Sequence, residues 1–268
     1  MLKLLKYEWK ACARICLPLC GLLLLLSAVT RVMMVDRMQE LMYGIPTVLI
    51  SMLYFAMIVT VFVVTTVILI QRFYKNLLGD EGYLMFTLPV TVSQHIWSKT
   101  IIALAMSIIS MIALFLSIGI LGMGTELLGE LASIVPNLLQ GIYERPSEFV
   151  VALEALLWLL ILSAVGMLFI YLCIALGHLA KKHRVLMAVV WYFVLTTVFE
   201  FLLMFLIMGV GTLPLGGFWM ALQNFFVRIG PAATIHVCMI GLCIITAAVG
   251  AAFFLGTRYI LKNKLNLE

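Results

Sequence analysis

Few residues of this chain have the types and spacing that catalysis requires. The sequence contains no H-E-x-x-H zinc motif, no G-x-S-x-G nucleophile elbow and no G-x-x-x-x-G-K-[ST] phosphate loop. The histidines are scattered, and no two of them have the spacing of metal ligands on one helix; they are His95, His178, His183 and His236. The sequence therefore predicts no catalytic residue, no metal site and no cofactor in this chain.

The six cysteines do not form a C-x-x-C pair, so no zinc or disulfide framework is predicted. Cys12, Cys16 and Cys20 lie four residues apart and share one helical face. A thiol cluster is one interpretation, and small buried apolar residues are the other. We favour the second and assign these cysteines no role.

Glu200 is an acidic residue near the middle of a long apolar run, VLTTVFEFLLMFL. A carboxylate at such depth in a membrane costs about 2.5 to 3.5 kcal/mol on insertion scales, so a partner or a function is expected. The structural explanation is protonation, or hydrogen bonds to Thr196, Thr197 or another span. The functional explanation is that Glu200, with Thr196 and Thr197, lines a pathway for a cationic substrate. Glu154 is expected nearer a membrane face, in contact with water.

The elements that would position these residues are membrane-spanning helices. The chain of 268 residues is 65% apolar and 11% charged, against roughly 45 to 50% and about 25% in soluble domains. The mean hydropathy is +1.21. Six apolar runs are long enough to cross a bilayer, over residues 15–35, 45–70, 101–121, 149–179, 185–208 and 234–261. We therefore expect an all-α integral membrane protein with six transmembrane helices in one domain, residues 1–268.

The distribution of Lys and Arg predicts the orientation, because basic residues accumulate in short loops on the cytoplasmic side. Of the 17 basic residues, all but Arg31, Arg37, Arg145 and Arg228 fall on the side shared by both chain ends. We expect both ends in the cytoplasm. The net charge of +5 then reflects topology, and no nucleic-acid partner is predicted.

Residues 1–14 place their basic side chains on one helical face and Leu2, Leu5 and Trp9 on another. This pattern is typical of an amphipathic interfacial helix on the lipid surface, although the same charges also serve as plain topology signals.

Two outer loops have patterns of their own. The spacing of polar residues in 122–148 predicts an amphipathic surface helix. Residues 209–233 are too apolar for a solvated loop, and short helices re-entering the outer leaflet are expected there.

The cytoplasmic link over residues 71–99 is the most patterned loop of the chain. Gly79 and Gly82 flank the acidic pair Asp80 and Glu81. Pro89 ends the preceding element, and T-x-x-Q at Thr91–Gln94 predicts a capping box at the start of the third span. A short apolar and acidic element is thus presented to the cytosol. An ordinary interfacial loop, anchored by its aromatic residues, is the alternative.

The segment YKNLLGDEGYLMFTLPVTVSQHIWSK resembles the link between spans two and three of bacterial ABC-2 type permeases. In that family an acidic and glycine-containing element precedes Leu-Pro-Val and a Ser- or Gln-rich helix start that ends in Lys. The basic N-terminal segment, the six spans, the apolar outer segment and the ending TRYILKNKLNLE agree with the family, so the resemblance covers the full chain.

The resemblance implies the permease half of an exporter with the type V, G-subfamily-like fold. A homodimer of this chain would work with a separate cytoplasmic ABC ATPase, which holds the ATP and Mg. The link would seat a coupling helix in a cleft of that ATPase. In this sequence the coupling residues are Asn76, Asp80, Glu81, Gly82, Tyr83, Leu84 and Phe86.

The family members that this chain resembles include phenol-soluble-modulin exporters and bacteriocin-immunity systems of Gram-positive bacteria. The implied substrate is an amphipathic or hydrophobic peptide, exported across the bacterial plasma membrane. An ion-coupled secondary transporter using Glu200 as a relay, an exporter of lipids or drugs, and an intramembrane enzyme are alternatives. The absence of a nucleophile or metal motif disfavours the enzyme.

Overall fold

The protein is described by a computed structural model that covers residues 2–34, 45–78, 90–123, 146–180, 183–212 and 216–264, with single positions 129, 133 and 136. Every regular element in these ranges is an α-helix. The helices are α1 (Leu2–Met33), α2 (Ile45–Leu77), α3 (Val92–Leu121), α4 (Pro146–Gly177), α5 (Arg184–Thr212), α6 (Gly216–Ile229) and α7 (Pro231–Asn263).

Six of these helices, all except α6, are long and apolar enough to cross a membrane, with spanning segments of 23 to 33 residues. A bilayer requires about 20. The prediction of an all-helical, multi-pass membrane protein with six spans is therefore confirmed. The orientation with both ends in the cytoplasm stays a prediction.

The first helix begins well before the predicted first span. The residues from Leu2 to Met33 form one continuous helix that includes Pro18, whereas the apolar run begins only at residue 15. Residues 2–14 are thus helical, as expected, and continuous with the span. Their placement on the lipid surface stays a prediction.

The chain divides into two compact units. Unit 1 comprises residues 1–75 and 89–144, and unit 2 comprises residues 76–88 and 145–268. The predicted single domain, residues 1–268, therefore contains two packing units.

In unit 1, α1 packs along α3. Its buried core includes Cys20 and Leu23 of α1, Tyr54 and Val61 of α2, and Ala113 of α3. The small side chains allow the helices to approach closely, while the hydroxyls of Tyr54 and Ser117 join α2 to α3 at 2.9 Å. A buried hydroxyl pair of this kind satisfies both polar groups away from water.

In unit 2, α4 packs against both α5 and α7. Glycines create two of these contacts: a Cβ at Gly177 would lie 2.5 Å from the backbone nitrogen of Ala188, and one at Gly250 would lie 2.6 Å from Cγ2 of Val165. The rings of Phe253 in α7 and Phe169 in α4 are in tilted contact, with their centroids 5.3 Å apart. These contacts make α4 the central helix of the unit.

A short helix, α6, lies inside the segment 209–233, where the apolar composition predicted short helices. It leads into α7 through Gly230, whose φ of +83° is a left-handed conformation that favours glycine. Pro231 then occupies the first turn of α7, where its missing N–H costs nothing. The depth of α6 in a membrane stays a prediction.

Candidate functional site

Three charged side chains from three helices meet in unit 1, and we call Glu8, Arg72 and Lys99 the ion triad. The Lys99 ammonium lies 2.8 Å from Glu8 Oε1, and Arg72 Nε lies 3.4 Å from Glu8 Oε2. Lys99 also donates to the backbone carbonyl of Arg72 at 3.2 Å, and Arg72 donates to the carbonyl of Glu8 at 3.2 Å. One carboxylate from α1 thus holds a cation of α2 and a cation of α3.

The ion triad is shielded from solvent. The side chains of Lys99 and Glu8 are 5% and 7% exposed, and that of Arg72 is 25% exposed. Charges in such surroundings are tolerated only when they are paired and hydrogen-bonded, which is the case here.

Sequence reasoning missed the ion triad. It counted Arg72 and Lys99 as cytoplasmic topology charges and gave Glu8 no role. The available signal was local: Glu8 is the single acid among the basic residues Lys3, Lys6, Lys10 and Arg14. On a helix, the side chains three and four positions from Glu8 are Leu4, Leu5, Ala11 and Cys12, so none of these neighbours can pair with its charge.

The two cations of the ion triad flank the predicted coupling segment. Arg72 lies in the last turns of α2, and Lys99 lies in the second turn of α3. Between them, the predicted capping box is confirmed: Gln94 N–H donates to Thr91 Oγ1 at 3.4 Å, and Thr91 N–H donates to Gln94 Oε1 at 3.0 Å. The link therefore runs into a helix with a defined first residue.

Most predicted coupling residues lie outside the described residues, namely Asp80, Glu81, Gly82, Tyr83, Leu84 and Phe86. Asn76 lies inside them and is 8% exposed, and Leu77 and Leu78, which follow it, are also buried. Residues 76–88 are assigned to unit 2, whereas α2 up to Lys75 and α3 belong to unit 1. The prediction that residues 76–86 form a coupling helix stays a prediction.

His178, in the turn after α4, is part of the surroundings of Leu78. Arg184 Nη1 donates to His178 Nε2 at 3.2 Å, which requires that nitrogen to be unprotonated. Burial lowers the pKa of His178 and the nearby Arg184 lowers it further, while a hydrogen bond with the backbone of Leu78 acts in the opposite direction. The imidazole is therefore held neutral at neutral pH.

Glu200 lies on an exposed face of α5. Thr196 donates its hydroxyl hydrogen bond to the carbonyl of Tyr192 at 2.8 Å, not to Glu200. Among the described residues, Glu200 makes no hydrogen bond or ion pair, and Thr197 beside it is exposed. The structural explanation by bonding to Thr196 is thus not supported, and the pathway role of all three residues stays a prediction.

Glu154 is half-buried and paired with a histidine, and its expected place near a membrane face stays a prediction. Both of its carboxylate oxygens lie 3.0 Å from Nδ1 of His236, and the side chains are 18% and 24% exposed. The pair joins α4 to α7 within unit 2. Sequence reasoning missed it because the two residues are 82 positions apart.

The cysteine face of α1 is buried, as predicted: Cys12 and Cys16 are each 1% exposed and Cys20 is 5% exposed. Arg72 Nη1 also lies 3.7 Å from Cys12 Sγ. Within the described ranges, no group of three His, Cys, Asp or Glu side chains is placed to hold a metal ion.

Comparison of the chain with family models, curated proteins and solved structures gave no match. The fold and the site define a helical, multi-pass membrane protein with an ion triad joining three spans.

Proposed function

We propose that this chain is the transmembrane permease subunit of an ATP-driven exporter of the ABC-2 type. It works as a homodimer in a bacterial plasma membrane, with both ends in the cytoplasm. A separate cytoplasmic ATPase binds ATP and Mg and acts on the link between α2 and α3. The exported substrate is an amphipathic or hydrophobic peptide of the toxin or bacteriocin type.

The observation that best supports this proposal is that the helices at the two ends of the link, α2 and α3, are held together by direct contacts. A coupling element transmits work only if the helices at both of its ends are held in a defined geometry. Here Lys99 of α3 contacts both Glu8 and the backbone of Arg72 in α2, and the capping box fixes the first turn of α3. The link therefore joins two spans, α2 and α3, that contact each other directly next to the link.

The need for ATP hydrolysis supports an arrangement in which this chain works with a separate ATPase chain. The chain has no phosphate loop, so hydrolysis requires another polypeptide. The residues Asp80 and Glu81 supply charges for that contact, and Tyr83, Leu84 and Phe86 supply apolar anchors. Interface free energy concentrates in a few buried anchors, whereas charges at the rim contribute less.

An ion-coupled secondary transporter is the second candidate, and the Glu154–His236 pair favours it. Ionisable residues within membrane spans often form proton relays. A proton gradient would then drive transport without ATP, which separates the two candidates experimentally.

The coupling assignment is tested by comparing two single substitutions in the link. We expect Tyr83→Ala to weaken ATPase association more than Asp80→Ala, by about tenfold, because an anchor contributes more than a rim charge. Association is measured by copurification with the tagged chain and by titration in reconstituted membranes. Full association with residues 79–84 all replaced by Gly and Ser would contradict the assignment.

A further inference from the structure

Glu8 has a place in the fold that its position near the start of the chain does not predict. Its two carboxylate oxygens are divided between two partners, Oε1 to Lys99 and Oε2 to Arg72. The partners belong to different helices, 91 and 64 residues away along the chain. Glu8 thus connects the two helices that enter and leave the link.

The contacts also define a geometry, because they involve the backbone. Lys99 donates to the Arg72 carbonyl, five residues before the C-terminal end of α2. Arg72 in turn donates to the Glu8 carbonyl. A rotation or a slide of any one helix by a turn would break at least one of these bonds.

Stability alone does not explain this arrangement. Apolar side chains of similar volume are often at least as stabilising as a buried ion pair, because charges must be removed from water. A buried polar cluster instead distinguishes one helix register from its neighbours, since only one register pairs every charge. The ion triad is placed where register matters most, at the two ends of the link.

We propose that Glu8 is a positioning residue that fixes the register of α2 and α3 at the base of the link, making the N-terminal part of α1 a component of the coupling apparatus. The claim about register stands on the contacts of the ion triad, while the claim about coupling rests on the proposed function.

The register claim is tested without any ATPase, by hydrogen exchange of backbone amides in the full chain reconstituted in lipid nanodiscs. Glu8→Gln leaves Arg72 and Lys99 close together without their anion. We expect amides at 73–78 and 90–96 to exchange at least about tenfold faster. Lys10→Gln, an exposed charge change on the same helix, is the matched control and should exchange like the wild type.

A charge exchange distinguishes electrostatic pairing from packing. Glu8→Lys places three cations together, and adding Lys99→Glu restores one anion between two cations. We expect both segments to exchange at least about threefold more slowly in the double variant than in Glu8→Lys, with incomplete recovery because a carboxylate at position 99 cannot donate to the Arg72 carbonyl. If Glu8→Gln does not accumulate as folded protein, the exchange of the double variant tests the register claim instead. Wild-type exchange in Glu8→Gln, or no recovery in the double variant, would overturn the register claim.

The coupling claim has its own measurement, the ratio of peptide transported to ATP hydrolysed in vesicles that contain the ATPase. We expect Glu8→Gln to keep ATPase association while lowering this ratio about tenfold, and the double variant to restore it. An unchanged ratio in Glu8→Gln would overturn the coupling claim. Failure of the proposed function has another signature: the wild-type chain binds no ATPase, while the exchange results are unaffected.

Discussion

The acidic residues within the helices have two kinds of surroundings. Glu8 and Glu154 each meet a basic partner on another helix. Glu200 lies on an exposed face of α5 and pairs with no other described residue. Since a carboxylate in hydrocarbon is costly, Glu200 should face a water-filled path, a substrate or another protein surface.

A substitution at Glu200 tests this prediction. Glu200→Gln removes the charge and keeps the shape, so we expect the thermal unfolding midpoint to change little and export of a cationic peptide to fall about tenfold. Glu148→Gln, at an exposed position in the first turn of α4, is the control. Unchanged export at equal expression would return Glu200 to a structural role.

The turn after α4 should respond to pH through His178. Its pKa is lowered in the folded protein, while an unfolded histidine has a pKa of about 6.5. The unfolded chain therefore binds more protons between these two values, so stability is full above about pH 6.5 and falls as the pH decreases through the folded pKa.

We expect the thermal midpoint of His178→Gln to depend less on pH than that of the wild type between about pH 7 and about pH 5. His183→Gln, at the nearby exposed histidine, should keep the wild-type dependence. Identical pH dependence of the thermal midpoint in the wild type and His178→Gln would mean that protonation of His178 does not affect stability.

At the scale of the elements, the six spans were predictable because each is an apolar run longer than the bilayer requires. The capping box was predictable because it depends on residues three positions apart. The helix over residues 2–14 was predicted, but its continuity with the first span was not, since the change from a basic to an apolar sequence at residue 15 does not interrupt the helix. The partners in the ion triad and in the Glu154–His236 pair come from distant segments. The local sequence could indicate that Glu8 has no basic neighbour on its helical face, but it could not identify Arg72 and Lys99 as its partners.

The contact between α4 and α5 gives a prediction about packing. An added methyl at Gly177 would meet the backbone of Ala188, which cannot move aside as a side chain can. We expect Gly177→Ala to lower the free energy of unfolding by about 1 to 3 kcal/mol.

The control is Gly166→Ala on the same helix, where nothing lies within 4 Å of the added carbon. It should be neutral or slightly stabilising, because alanine favours helix over glycine. Thermal unfolding in detergent compares the two variants. Equal midpoints would show that α4 and α5 can separate without cost.

At the scale of the whole molecule, the composition alone indicated a multi-pass membrane protein, and the six helices bear this out. Composition does not indicate whether the chain binds an ATPase, because a permease and an ion-coupled transporter both need apolar residues in contact with lipid. The residues that bear on this distinction are few: the link at 71–99 with the ion triad, the Glu154–His236 pair, and Glu200.

The proposal that an ATPase drives this chain is tested most directly by purifying the tagged wild-type chain from its native membrane in a mild detergent and reconstituting what copurifies. We expect an ABC-type ATPase in equal amount to this chain, and we expect the vesicles to take up an amphipathic cationic peptide only when ATP and Mg are supplied. Vesicles lacking the ATPase serve as the control. Peptide uptake driven by a proton gradient, with no ATPase bound and no effect of ATP, would contradict the account.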